Sequence, residues 1–326
     1  MKKLAFLSLA ALTFGAFASE PRIPAEAQGI LFLDIAKTLA LPALKDMPVP
    51  AEVEPGLPKP KDLKWAVATV DRIVLPDDKA ASVTLPSLAV ALSGDFVAKS
   101  VLEAVVKDAE KNGTKLSPIA NLPFAAYSIP ADVVISDQEQ LKRMTNLKPC
   151  VGAVAKDVIV LAVNPDTLKA QGSLFGGKVT GGDFKKAMPA CCLGLKVSGV
   201  DGLLAEAEAQ AKKSGKGADA SLEMFKGIKV VRFTADGTEG ANLRLKLALA
   251  CKDDSAAQGL EMGLGMFSLM AKDAVKDLKV SRKGKIVSVT GEVNPQELIG
   301  MAMMSMMGGQ GMMQMEGAQP GSIKAE

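Results

Sequence analysis

Apolar positions recur along this chain with two periods. Period two marks Lys64 to Ile73, where Trp65, Val67, Thr69 and Asp71 alternate with Ala66, Ala68 and Val70, and also Ser87 to Ser93. Both segments are expected to be strands. Gly29 to Asp34 reads as a buried strand running into a short helix, Ile35 to Leu41. Helical spacing of Val97, Val101, Ala104 and Val105 predicts a helix from Phe96 to Lys111, opened by Gly94-Asp95 and stopped by Asn112-Gly113. Farther along come a strand from Cys191 to Val197, a helix from Val200 to Lys213, and a hairpin of Gly227 to Thr234 with Ala241 to Cys251. A long helix, Ser255 to Asp273, and two strands, Leu278 to Ser281 and Lys285 to Val293, close the pattern. The long helix is apolar nearly all round, and Gly259 and Gly263 would let a neighbouring element approach its backbone.

The same order occurs twice. Val158 to Leu168 echoes Ser288 to Leu298, each strand closing on Asn-Pro: Asn is a strong N-cap, and Pro is preorganised for the first helical position. Leu88 to Leu92 echoes Leu245 to Leu249, each followed by an acidic residue and a helix. Residues near 120–146, with expected strands Phe124 to Ser128 and Asp132 to Ser136 and a helix begun by Asp137, form an insertion in the first copy only. Each copy then reads βαββαβ. The expected fold is α+β: two tandem ferredoxin-like units, mostly antiparallel, strand order 4-1-3-2, with helices on one face. The units would occupy residues 19–184 and 185–307.

The ends of the chain read differently. Lys2-Lys3, an apolar run from Leu4 to Phe17 and the small-residue triplet Ala16-Phe17-Ala18 predict a secretory signal peptide over residues 1–18, cut after Ala18. The run is too short to span a bilayer, so the mature chain is expected to be periplasmic or extracellular, without a transmembrane segment. Six prolines between Pro42 and Pro60 make that stretch a stiff connector, and residues 308–326 read as a disordered Met/Gly-rich tail. The net charge of +3 falls to +1 without Lys2 and Lys3, leaving no basic excess for a nucleic-acid partner. The chain has no histidine, which removes every histidine-based triad, imidazole metal ligand and imidazole pH switch.

Candidate chemistry is sparse. The strand parities and the 4-1-3-2 order put Cys191 beside Cys251 as thiol neighbours or a disulfide, with Cys150 and Cys192 elsewhere. Met301, Met303, Met304, Met306, Met307, Met312, Met313 and Met315 supply half of the 16 methionines and would suit Cu(I) as cofactor or cargo; a flexible hydrophobic docking strip is the competing reading. Gly172 to Lys178 satisfies the G-x-x-x-x-G-K spacing but puts Val179 where the magnesium-binding hydroxyl belongs, and reads as a glycine-rich surface loop. Asp34, Asp71 and Asp95 could pair for acid–base work, although no local pattern selects two of them.

The signal segment, the early strand of the Ile30 to Asp34 kind, the units of strand, acidic residue and long helix (Leu245 to Lys272) and the closing strand Ile286 to Val293 together resemble a loose group of uncharacterised exported bacterial proteins. The resemblance implies the duplicated α+β fold and no catalytic residue. The expected function is that of an exported, non-catalytic binding or protein-interaction protein with an apolar working surface. The alternatives are a periplasmic Cu(I)-binding protein and a histidine-free enzyme using carboxylates or lysines.

Overall fold

A computed structural model describes residues 19–42, 56–75, 82–135, 138–213, 225–238, 242–270 and 275–294. The chain begins with β1 (Gly29–Asp34), α1 (Ile35–Leu39), β2 (Leu63–Val70), β3 (Leu88–Gly94), α2 (Ala98–Lys111), β4 (Ser117–Pro118) and β5 (Ala126–Ser128). It continues through α3 (Ala131–Val134), α4 (Gln138–Arg143), β6 (Cys150–Ala155), β7 (Val158–Ala162), α5 (Pro165–Phe175) and α6 (Phe184–Ala187). The remainder is β8 (Leu193–Ser198), α7 (Val200–Lys213), β9 (Ile228–Gly237), β10 (Leu243–Cys251), α8 (Asp254–Met270), β11 (Lys276–Lys283) and β12 (Ile286–Val293).

Among the described residues the twelve strands join one sheet, in the order β11-β12-β10-β9-β8-β1-β2-β3-β7-β6-β5-β4, and every pair is antiparallel. The α+β content is as expected, but the sheet order corrects the ferredoxin-like reading. No pair of four-stranded 4-1-3-2 sheets forms. Instead the run β1-β2-β3-β7-β6 and the run β8-β9-β10-β12-β11 share the order 1-2-3-5-4, and they meet edge to edge where β1 pairs with β8. In the first run the difference arises from β6, a fifth strand that the alternation does not reveal. Its sequence, Cys-Val-Gly-Ala-Val-Ala, is built of small residues. A side chain at Gly152 would come within 3.0 Å of the Phe124 ring and 3.3 Å of Leu168, so the strand is small where α5 and the insertion press on it.

Helices cover both faces, not one. Alternation along β7 sends Ile159 to one face and Val158 and Val160 to the other. On the first face α2 packs Val101 and Leu102 on Val151 and Ile159, while α7 and α8 pack Val200, Ala257 and Leu260 on Leu249 and Val287. On the second, α5 and α6 bring Leu168, Phe175 and Ala187 onto Ile30, Phe32, Val67, Val158 and Val160. The β1–β8 region of the first face is open: Leu195, Leu31, Ala68, Val90 and Leu161 form one cross-strand row, with Leu31 47% and Leu161 40% exposed. Met262, Met266, Phe267 and Leu269 of α8 are exposed as well, and among the described residues none makes the close approach expected at Gly259.

Local signals explain the helix starts. Asn164 accepts from the Thr167 backbone N–H at 2.9 Å and Pro165 opens α5, as the Asn-Pro junction predicts. The start of α2 falls at Val97 rather than at Gly94-Asp95, and Asp95 pairs with Lys64 at 2.6 Å. Where a strand was expected over Asp132 to Ser136, Ala131–Val134 forms one helical turn behind Pro130, and Ser136 lies outside the described residues. The Gly172 spacing is no phosphate loop or surface loop either: α5 runs through Gly172, where an added Cβ would collide with the Phe124 ring.

Candidate functional site

The second face holds a concavity, at the seam where β1 meets β8. Period two places Phe32 and Asp34 of β1 on one face, and the antiparallel register sets Val67 opposite Phe32 and Trp65 opposite Asp34. The segment following α5 closes the other side. Gly182 donates its backbone N–H to the Ile23 carbonyl at 2.8 Å, and the lack of a side chain at Gly181, whose Cβ would lie 2.8 Å from that same oxygen, lets the segment come this close. Asp183 then caps α6 by accepting from the Lys186 N–H at 3.0 Å. This turn delivers Phe184 edge-on to Phe32, with ring centroids 4.9 Å apart at 67°, while Trp65 stacks on Phe175 at 6.2 Å and 13°. Met188 is fully buried against Gly194 of β8, which has no side chain in its way.

The result is a cleft of about 1040 Å³ with Phe32, Trp65, Phe184 and Met188 among its lining. Charged residues of both signs share that lining, and several are held in place. Lys185 pairs with Glu20 at 3.0 Å, Lys64 pairs with Asp95 at 2.6 Å, and Asp34 caps α1 by accepting from the Lys37 N–H at 2.9 Å. The remaining candidate carboxylate, Asp71, accepts from the Ser87 N–H at 2.8 Å across the β2–β3 connection. Asp34, Asp71 and Asp95 are thus engaged in separate structural bonds and form no pair.

Cys191 and Cys251 are not brought together. Cys191 belongs to the core that lines the cleft, whereas Cys251 belongs to the core under α8. Strand β9 lies between their strands, with Cys192 bonded to it at Ala235 and Cys251 opposite Ile228 near its other end. The pairing expected from the 4-1-3-2 order falls with that order. All four cysteines are free and buried. Burial pushes the Cys150 thiol up to about 12 and, with Asp236 adding to it, the Cys191 thiol up to about 11; Cys192, whose Sγ donates to Asp236 at 3.2 Å, and Cys251 are raised as well, chiefly by burial. Burial thus disfavours the thiolate form of all four.

Beyond the cleft, β8 and β9 set Lys196 directly opposite Arg232 on the same face. Burial and then the Arg232 charge lower the Lys196 ammonium, and Arg232 Nε is buried with no hydrogen-bond partner among the described residues. Among the described residues no group of three or more Cys, Asp or Glu side chains is placed to hold a metal. The eight methionines from Met301 to Met315 lie outside the described residues, as do residues 43–55 of the proline-rich stretch. Among the described residues no helix is long and apolar enough to cross a membrane.

Comparison with protein-family models, curated proteins and solved structures returned no match. The site therefore rests on its own geometry. Sequence reasoning missed Phe184, Met188 and the N-terminal residues Ser19 to Arg22, because only pairing distant in sequence assembles them. The one local signal was Gly181-Gly182-Asp183 ahead of an aromatic residue, a turn followed by a helix cap.

Proposed function

We propose that this chain is an exported, non-catalytic binding protein whose ligand occupies the cleft at the β1–β8 seam. The observation that carries this reading is the composition of the cleft: an apolar floor of Phe32, Trp65, Phe184 and Met188, with fixed charges of both signs around it. Pockets of that size and make-up suit one small amphipathic molecule, its ring or chain on the aromatic floor and its polar end near Lys37, Lys64 or Asp34. The polar groups are engaged in caps and ion pairs rather than converging on one point, which favours binding over chemistry. The signal-like pattern over residues 1–18 supports export. The matching strand orders support two copies of one five-stranded unit, which puts the cleft at the junction between copies.

Isothermal titration with the amphipathic anion 8-anilinonaphthalene-1-sulfonate tests the reading. Saturable binding is expected, weakened about tenfold in Phe184→Ala, which removes part of the floor, and unchanged in Leu31→Glu, which alters the opposite face. Binding lost in Leu31→Glu and kept in Phe184→Ala would assign the working surface to the other face.

A further inference from the structure

Asp157 has an unexplained environment. It lies in the turn between β6 and β7, is only 8% exposed, and sits beside Ser93, which is fully buried and donates its hydroxyl to Asp157 Oδ2 at 3.1 Å. No ion pair to Asp157 forms among the described residues. A carboxylate withdrawn from water is costly unless a cation or several donors face it. Its other partners both come from one residue far away in the chain. Ser19 donates its backbone N–H to Oδ2 at 2.6 Å and its hydroxyl to Oδ1 at 2.6 Å, so both carboxylate oxygens are engaged by Ser19. Trp65 fixes the same residue from the other side, donating its indole Nε1–H to the Ser19 carbonyl at 2.8 Å.

Ser19 is also the residue that follows the expected signal-peptide cut. We infer that Asp157 is the receptor for the α-ammonium group of the mature chain, and that processing at Ala18–Ser19 creates the ion pair that locks the N-terminal wall of the cleft. The inference rests on the export reading. Hydrolysis of the Ala18–Ser19 bond consumes one water and leaves a carboxylate on Ala18 and an amine on Ser19. Near neutral pH that amine takes up a proton. A neutral amide donor facing Asp157 thereby becomes a full positive charge at the same nitrogen, and a charge-assisted bond replaces a neutral one where little water competes. The wall follows from the anchor: Glu20, Pro21 and Arg22 line the cleft directly after Ser19, and Arg22 donates to the Leu174 carbonyl at 2.8 Å. Maturation and formation of the ligand site are then one event.

The test compares the chain beginning at Ser19 with the same chain retaining Ala18, each with Asp157 and with Asp157→Asn. Retention of Ala18 is expected to lower the melting temperature by about 3 °C or more when Asp157 is present and by less than about 1 °C in Asp157→Asn. Equal melting of the two Asp157 chains, or an equal drop in both backgrounds, would overturn the inference. Should Asp157→Asn not fold, cyanate modification of the Ser19 amine in the wild-type mature chain decides. It is expected to run at least about tenfold slower in the native than in the denatured chain, and equal rates would overturn the inference. The intact mass of the exported protein tests the export reading separately: a chain starting at Ser19 supports it, and any other start refutes the cut without altering the melting comparison.

Discussion

The thiols show how burial, not residue type, decides chemistry at the residue scale. Cys150, the first residue of β6, is fully buried in the core of the second face, and Cys191 is buried in the cleft lining; desolvation favours the neutral form of both. Two outcomes follow. Iodoacetamide at pH 7.5 should modify none of the four thiols in the native chain and all four after denaturation; fast modification of any one would contradict the buried placement. Stability should also carry a thiol-linked dependence on pH. A raised thiol value means that the unfolded chain loses its proton first, so the contribution is complete below the ordinary value of 9.0 and is lost as pH rises from there toward 11 or 12. Denaturant melts from pH 7.5 to 10.5 should show this fall, with a shallower slope in Cys150→Ala; an unchanged slope would remove Cys150 as its source.

At the element scale, local chemistry was read well and tertiary pressure was not. The Asn164-Pro165 cap, the helix from Val200 to Lys213 and the hairpin ending at Cys251 stand where capping residues and periodicity put them, because those signals act within a few residues. The missed strand β6 and the misread Gly172 have one cause. Both positions are small because Phe124, brought in by the insertion, fills the space that a side chain would need. The distinction is measurable at Gly172, in the interior of α5. Helix propensity alone predicts that Gly172→Ala stabilises by about 1 kcal/mol. The packing predicts the opposite sign, a loss of about 1–3 kcal/mol as Phe124 is forced aside. Urea denaturation of the variant reads the sign directly, and a gain in stability would refute the contact between α5 and the insertion.

At the scale of the whole molecule, the sequence conveyed the mix of helices and strands but not how the strands pair. Strand order depends on contacts between residues far apart in sequence, and the β1–β8 pairing that makes one twelve-stranded sheet leaves no mark on either strand beyond its apolar face. The cleft inherits that illegibility, since its walls come from the N-terminal segment, β1, β2 and the residues between α5 and β8. The same arrangement supplies a built-in reporter. Trp65 is the only tryptophan in the chain, is buried in the second face and lines the cleft. The most direct measurement is therefore the emission of Trp65 as the amphipathic anion is titrated into the mature protein. A saturable change in intensity and wavelength, with the midpoint found by calorimetry, is the predicted result. Saturable calorimetric binding with Trp65 emission unchanged throughout would place the ligand elsewhere and contradict the assignment of the seam as the binding site.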